Sequence, residues 1–286
     1  MKRAEFRHRE ALRVRWAEVD LQKIVFNGHY LMYVDTAVAG YWRAMALPYH
    51  DTMERLQGDL YVRKATLEYE GSARYDERLE VGIRCGRIGN SSMVFSAGVF
   101  RGEQVLVHGE LVYVFADPHT QTSRPVPPEL RAWLQAFEAG EPMVGVALGD
   151  WPAQQAEAMR LRQAVFAQEQ GIPAELMSDE ADATAVHALA RNRAGLAVGS
   201  GRLVLQPGGT GKIGRMAVDA GLRGAGVGGA LLGALVQAGR ERGLAQLVLH
   251  AQATAEGFYR RAGWVPEGPV FEEAGVPHQA MRRALA

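Results

Sequence analysis

Residues 213–232 read IGRMAVDAGLRGAGVGGALL. A strand-like run, 213–218, passes through Asp219–Arg223 into a glycine-rich turn and then an apolar helical segment. Glycines at a helix start leave several backbone N–H groups free to wrap a phosphate, and the helix dipole favours its negative charge. Arg223 adds a fixed cation. Gly224, Gly226 and Gly229 also match a dinucleotide fingerprint, a weak signal in a chain with 33 glycines. The context opposes it, because a dinucleotide-binding strand runs straight into its first glycine. The ribose-binding acid expected about 20 residues on is also missing; that region reads LVLHAQ. The natural guest is another diphosphate-bearing cofactor.

Working outward, the second half reads as mixed α/β. Periodicity predicts a helix over 153–170, strands at 196–205 and 213–218, and a helix from the glycine turn to about 242. A strand at 245–251, a helix around Glu256–Ala262 and a last strand near His278–Arg282 complete it. The first half differs. Tyr30, Val34, Val38, Tyr41 and Met45 recur at helical steps, with Asn27 as the cap and Pro48 closing the helix. Period-two segments follow at 79–85 and 93–99, then the buried-strand run LVYVF at 111–115. One helix followed by an antiparallel meander is an α+β arrangement. Residues 117–128, DPHTQTSRPVPP, break that pattern, a short helix covers Glu129–Phe137, and Gly140-Glu141-Pro142 places the boundary near 140. The expected domains are 1–140 and 141–286. No internal repeat is visible.

Composition narrows the function. The chain has 286 residues, 48% of them hydrophobic, and Lys+Arg and Asp+Glu are both 32. A zero formal charge speaks against a nucleic-acid partner, which normally meets a basic face. One cysteine, Cys85, excludes an internal disulfide framework and suits a reducing, cytoplasmic setting. No signal core opens the sequence, and the longest weakly polar run, 225–236, is too short to span a bilayer. The eight histidines are scattered without a paired ligand spacing, so no metal is expected.

The stretch IGRMAVDAGLRGAGVGGALL resembles the acetyl-CoA-binding motif of the GNAT acetyltransferases, with Arg223, Gly226 and Gly228 in its Arg-x-x-Gly-x-Gly pattern. LVLHAQATAEGFYRRAGW at 247–264 resembles the strand and helix that follow it. LRQAVFAQEQGIP at 161–173, the acidic stretch before His187, and AGVPHQAM at 274–281 resemble the ElaA-like branch. The similarity covers about 143–286. It implies that strand 213–218 splays from strand 245–251, so that backbone near Met216 and Val218 pairs with the pantetheine arm. The diphosphate would lie on Arg223, Gly224, Gly226, Gly228 and Gly229. An amine would attack the acetyl thioester directly, with Tyr259 protonating the departing thiolate. Tyr259 could equally be a core aromatic. Glu169, His187, His250 and His278 are candidates for the base, each of which could instead be structural or position the substrate.

RWAEVDLQKIVFNGHYLMYVDTA at 15–37 and LEYEGSARYDERLEV at 67–81 resemble hotdog-fold acyl-CoA thioesterases of the 4-hydroxybenzoyl-CoA thioesterase type. This similarity covers about 10–120 and implies an antiparallel sheet around a long helix. The family pattern Asp-x-x-Gly-x-Val-x-x-x-x-Tyr maps onto Asp20, Val25 and Tyr30, with Lys23 in the place of the glycine. Taken alone, Asp20 reads as a loop acid or helix cap. The resemblance makes it nucleophile or general base, facing a thioester carbonyl polarised by the Asn27 N–H. Ser91 and Ser92, with Arg87, resemble the turn that contacts the CoA side in relatives.

The expected whole is a fused bifunctional enzyme: an acyl-CoA thioesterase followed by an N-acetyltransferase acting on a small-molecule or peptide amine. Hotdog domains pair, so a homodimer or tetramer is expected. A thioesterase that destroyed acetyl-CoA would waste its partner's donor, so the first site should prefer a bulkier acyl group. Two other readings stand beside this one. The hotdog half could be a non-catalytic dimerisation and acyl-CoA-sensing module, or the transferase half could only bind CoA.

Overall fold

The computed structural model describes residues 1–285. It divides into two compact units, Met1–Met143 and Val144–Ala286.

The first unit is a five-stranded antiparallel sheet carrying a long helix. Its elements are β1 (His8–Arg13), α1 (Asn27–Ala44), α2 (Tyr49–Leu56), β2 (Asp59–Tyr69), β3 (Arg78–Ile88), β4 (Ser92–Arg101), β5 (Gln104–Ala116) and α3 (Pro128–Glu138). The strand order is β1-β3-β4-β5-β2, and α1 packs on β1, β3 and β4. Helix α1 buries the side chains its periodicity marks, Tyr30, Val34, Val38 and Tyr41, together with Tyr33, Ala37 and Trp42. The Tyr41 ring meets Phe95 and Phe137 edge-on, at 5.6 and 4.8 Å. Its hydroxyl donates to Glu138 Oε1 at 2.5 Å, and that oxygen also accepts the Cys85 N–H at 2.8 Å. Two expectations for this helix are corrected. Phe26, not Asn27, is the N-cap, and no side chain caps the helix. The helix ends at Ala44, before Pro48, which instead caps α2. The sequence reading also missed β1 and β2, the two edge strands.

The second unit is an eight-stranded mixed sheet. Its elements are β6 (Val144–Gly149), α4 (Trp151–Arg162), β7 (Val186–Asn192), β8 (Ala197–Gln206), β9 (Thr210–Val218), α5 (Val227–Glu241), β10 (Gln246–Gln252), α6 (Glu256–Arg261), β11 (Val265–Pro266), β12 (Phe271–Glu273) and β13 (Val276–Ala284). The order is β11-β13-β10-β9-β8-β7-β6, with β12 on β13. Only β9 and β10 pair parallel among these strands. Leu161, Val165, Leu189, Ala197 and Ala217 form a buried cluster. The helix expected over 153–170 is α only to Arg162. Gln163–Glu169 is a π-helical turn, a geometry that shifts side chains around the axis and recurs at functional sites. Among the described residues, no helix is long and apolar enough to cross a membrane.

Candidate active sites

In the first unit the chain crosses from Val19 to Val25 through a tight turn closed by a bridge between those two residues. Asp20 N–H donates to Ile24 O and Lys23 N–H to Asp20 O, both at 2.9 Å. Asp20 Oδ1 accepts the Gln22 N–H at 2.8 Å; its second oxygen has no partner among the described residues. Lys23 sits at φ 61, the left-handed region that glycine favours. The chain therefore keeps the bend with a lysine. Behind the turn α1 begins without a side-chain cap, leaving first-turn N–H groups available to an acceptor. Asn27 is exposed and its carbonyl accepts from the Tyr69 hydroxyl at 3.2 Å. Tyr30 is 2% exposed, and its hydroxyl accepts the Ala73 N–H at 2.9 Å. That makes it a strut from α1 to the loop before β3. Ser91 and Ser92 lie in the β3–β4 turn, where their carbonyls accept Phe115 N–H at 2.9 Å and Gly89 N–H at 2.7 Å.

Sequence reasoning missed Glu18, which is buried beside this turn. It accepts from Tyr33 Oη at 2.6 Å and from Arg15 N at 2.7 Å. Burial alone would raise its carboxyl pKa, but these hydrogen bonds hold it below the ordinary value. Apolar side chains crowd the same end, with Trp16 74% and Phe26 52% exposed. Glu68, Glu70 and His108 place ligand atoms within 4.8 Å of one another on the β2–β5 pair. Both acids are exposed, an arrangement common without a cation.

In the second unit, β9 and β10 pair from Thr210↔Gln246 to Ile213↔Leu249 and no further. Beyond that point they diverge, and Met216 and Val218 lie on the free part of β9. Opposite Gly201 of β8 stand two residues of β9, Arg215 and Met216, between the pairs Gly214↔Arg202 and Ala217↔Ser200. This is a β-bulge, and bulges re-aim side chains. A Cβ at Gly201 would stand 2.6 Å from Met216 Sδ, so any larger residue there would have to displace the Met216 side chain.

The glycine turn opens α5, with Gly224 at φ 88 and Gly226, the N-cap, at φ 84. Gly228 faces the Phe258 ring, and a Cβ at Gly229 would meet open space. Arg223 holds Glu169 through both guanidinium arms at 2.6 Å, and that bond keeps the Glu169 carboxyl below its usual range. The π turn thus delivers Glu169 to the glycine turn. Glu169, a candidate base by sequence, is not among the residues that line the cavity between the diverging strands.

A cavity of about 600 Å³ opens at the diverging strands, lined among others by Met216, Arg215, Arg202, Asp179, Tyr259 and His250. Glu273, His278, Lys212 and Gln252 also line it. Tyr259 is 8% exposed, and burial pushes its hydroxyl pKa up to about 12. His250 Nδ1 lies 2.6 Å from Glu273 Oε2. Burial would raise the Glu273 carboxyl, but the hydrogen bond and charge of His250, with Lys212 and His278, hold it below its ordinary value. His278 stacks on Phe271. His187 is not in the cavity. It is 1% exposed, packed 4.7 Å from the Trp151 ring and bonded at 2.9 Å to Asp182 O, with burial lowering its pKa. Its expected candidacy as base is corrected to a core role.

A buried charge network stands behind one wall, reaching it through Arg202. Asp182 accepts from Arg162 at 2.9 and 3.0 Å and pairs with Arg202 at 2.8 Å. Burial opposes the ionised acid, yet the two guanidiniums hold its pKa down at about 2. None of these three residues, nor Arg215, Asp179 and Glu273, was singled out from the sequence. A signal was present in the arginines at core-facing positions, Arg162 after Leu161 and Arg202 between Gly201 and Leu203.

Comparison with known proteins agrees with this division. A family model described as an acetyltransferase (GNAT) domain matches residues 151–285. One described as the thioesterase superfamily matches residues 22–108. An uncharacterized N-acetyltransferase of Bacillus subtilis, YjcF, is 35% identical over 128 residues, covering 44% of this chain and 90% of that protein. The acyl-CoA thioester hydrolase YbgC of Escherichia coli is 26% identical over 125 residues, covering 42% of this chain and 90% of that protein.

Proposed function

We propose that this chain, which belongs through its second half to the GNAT acetyltransferases and carries a thioesterase-superfamily domain ahead of it, is a fused enzyme of CoA thioesters with two separate chemistries. The observation that carries this reading is the divergence of β9 from β10 over a cavity that holds both Tyr259 and the His250–Glu273 pair. Acetyl-CoA would lie with its diphosphate on the 223–229 turn and its pantetheine along Met216–Val218. The acceptor amine attacks the carbonyl carbon, a C–N bond forms, and the C–S bond breaks. Tyr259 gives its proton to the leaving sulfur, a direction favoured by a phenol held protonated at neutral pH. The amine's proton passes to a base. Of the two candidates that line the cavity, His250 and His278, His250 has the better case, because Glu273 on Nδ1 orients the ring and leaves Nε2 to accept.

In the first unit, the uncapped start of α1 behind the Asp20 turn supports thioester hydrolysis. The Asn27 N–H would polarise the carbonyl, and Asp20 would attack it or activate water, releasing the CoA thiol. Among the described residues, strand β2 pairs only with β5. Its free edge supports assembly with a second copy as a dimer or tetramer. The exposed edge and the apolar residues around the turn also favour an alternative, in which this unit is a non-catalytic dimerisation and acyl-CoA-sensing module.

Thiol release from acetyl-, medium-chain, long-chain and aromatic CoA thioesters, without amine, tests the choice. Wild type should turn over a bulkier class faster than acetyl-CoA, and Asp20→Asn should lose about 100-fold or more. A folded wild type that binds acyl-CoA and hydrolyses none selects the sensing module.

A further inference from the structure

The cavity of the second unit carries more positive than negative charge, and the excess gathers on one side chain. Its fixed cations are Arg202, Lys212 and Arg215, and its carboxylates are Asp179 and Glu273. Glu273 is bonded by His250 and answers the charge of Lys212. Asp179 is shared, accepting Arg202 at 2.7 and 2.6 Å and a single bond from Arg215 Nη2 at 2.9 Å. Asp182, behind the wall, is already held by Arg162 and Arg202. Arg215 therefore has half a partner. Its Nε is buried without an acceptor, and so is the Nε of Arg202, whose side chain is only 9% exposed. Burial and the neighbouring Arg202 lower the Arg215 pKa from its ordinary value, the direction expected where counter-charge is short.

The backbone agrees. Arg215 occupies the bulge at φ 53, a conformation that strains any residue but glycine. Strain held at a cavity-lining bulge points to a side chain aimed for use. The excess charge does not serve the cofactor's diphosphate, since none of residues 219–229 lines this cavity.

We propose that Arg215, backed by Arg202, is an anion subsite for the acceptor, and that the acceptor is a primary amine bearing one carboxylate. This rests on the transferase reading of the second unit. One residual positive charge matches a monoanion better than a phosphate dianion, and a guanidinium fork suits carboxylate oxygens. The same field disfavours the ammonium form of the acceptor, leaving more of it as the free amine that attacks.

The test uses the full chain with saturating CoA and two matched probe pairs: glycylglycine with its C-terminal amide, and 4-aminobutyrate with its amide. Calorimetry should show each carboxylate binding about tenfold or more tighter than its amide. Arg215→Gln should erase that difference, and Arg215→Lys should restore part of it. Both variants share the strained backbone, so the contrast between them reads charge. Equal or tighter binding of the amides, binding of no probe, or full preference retained in Arg215→Gln overturns the proposal. Failure of the wild type to bind acetyl-CoA overturns instead the transferase reading on which it stands.

Discussion

The Asp20 turn and the β9–β10 cavity show two ways of building a site from one chain. The cavity is complete within its own unit. Its charged residues come from the segment before β7 and from β8, β9, β10 and the β12–β13 hairpin, and they are fixed by buried ion pairs. The Asp20 turn is closed by backbone hydrogen bonds, one oxygen of its acid has no partner among the described residues, and the exposed aromatics Trp16 and Phe26 flank it in sequence. The cavity is lined from a single copy of the chain, whereas residues 21–23 of the turn lie exposed at the surface.

If the cavity depends on its buried charges, removing one should cost most. Asp182→Asn leaves Arg162 and Arg202 without their shared counter-ion, and should destabilise the second unit by about 3–5 kcal/mol, read by denaturant unfolding. The pH dependence follows from the same acid. Its folded pKa, about 2, lies below its ordinary 3.8, so its contribution is complete above pH 4 and lost as the pH falls toward 2. A second unit that melts no earlier at pH 2.5 than at pH 5 would deny the network that role.

A smaller effect separates clamp from base at Glu169. As a partner of Arg223 on an exposed turn it should matter little, with Glu169→Gln shifting acetyl-CoA affinity by no more than about fivefold and leaving kcat nearly unchanged. A loss near 100-fold in kcat would return it to the role of base. Smallest is the turn itself. Lys23→Gly relieves a left-handed lysine but loosens the unfolded chain, for a net gain of up to about 1 kcal/mol in the first unit. A clear loss of stability would mean that the lysine side chain holds the turn by contacts of its own.

Legibility followed the strength of the periodic pattern, and even the buried β7 (VHALARN), which lacks one, was missed. The long helix and the central strands β3, β4 and β5 carry strong periodic patterns because they face a core on at least one side. β1 (HREALR) and β2 (DLYVRKATLEY) were missed because each lies at a sheet edge and keeps charged or polar residues along it. The π turn at 163–169 has no sequence signature, since it depends on how α4 packs. The glycine turn was readable as a helix start because its signal is local in sequence. Arg215, Asp179 and Glu273 were not, because tertiary structure brings them together from three separate segments.

The central claim is that two chemistries on CoA thioesters operate independently in one chain. The most direct measurement crosses Asp20→Asn and Tyr259→Phe in the full chain, following thiol release without amine and amine acetylation with it. The account predicts that Asp20→Asn loses about 100-fold or more in hydrolysis and keeps acetylation, while Tyr259→Phe does the reverse. Parallel loss of both activities in either folded variant, or hydrolysis that survives Asp20→Asn intact, would contradict it.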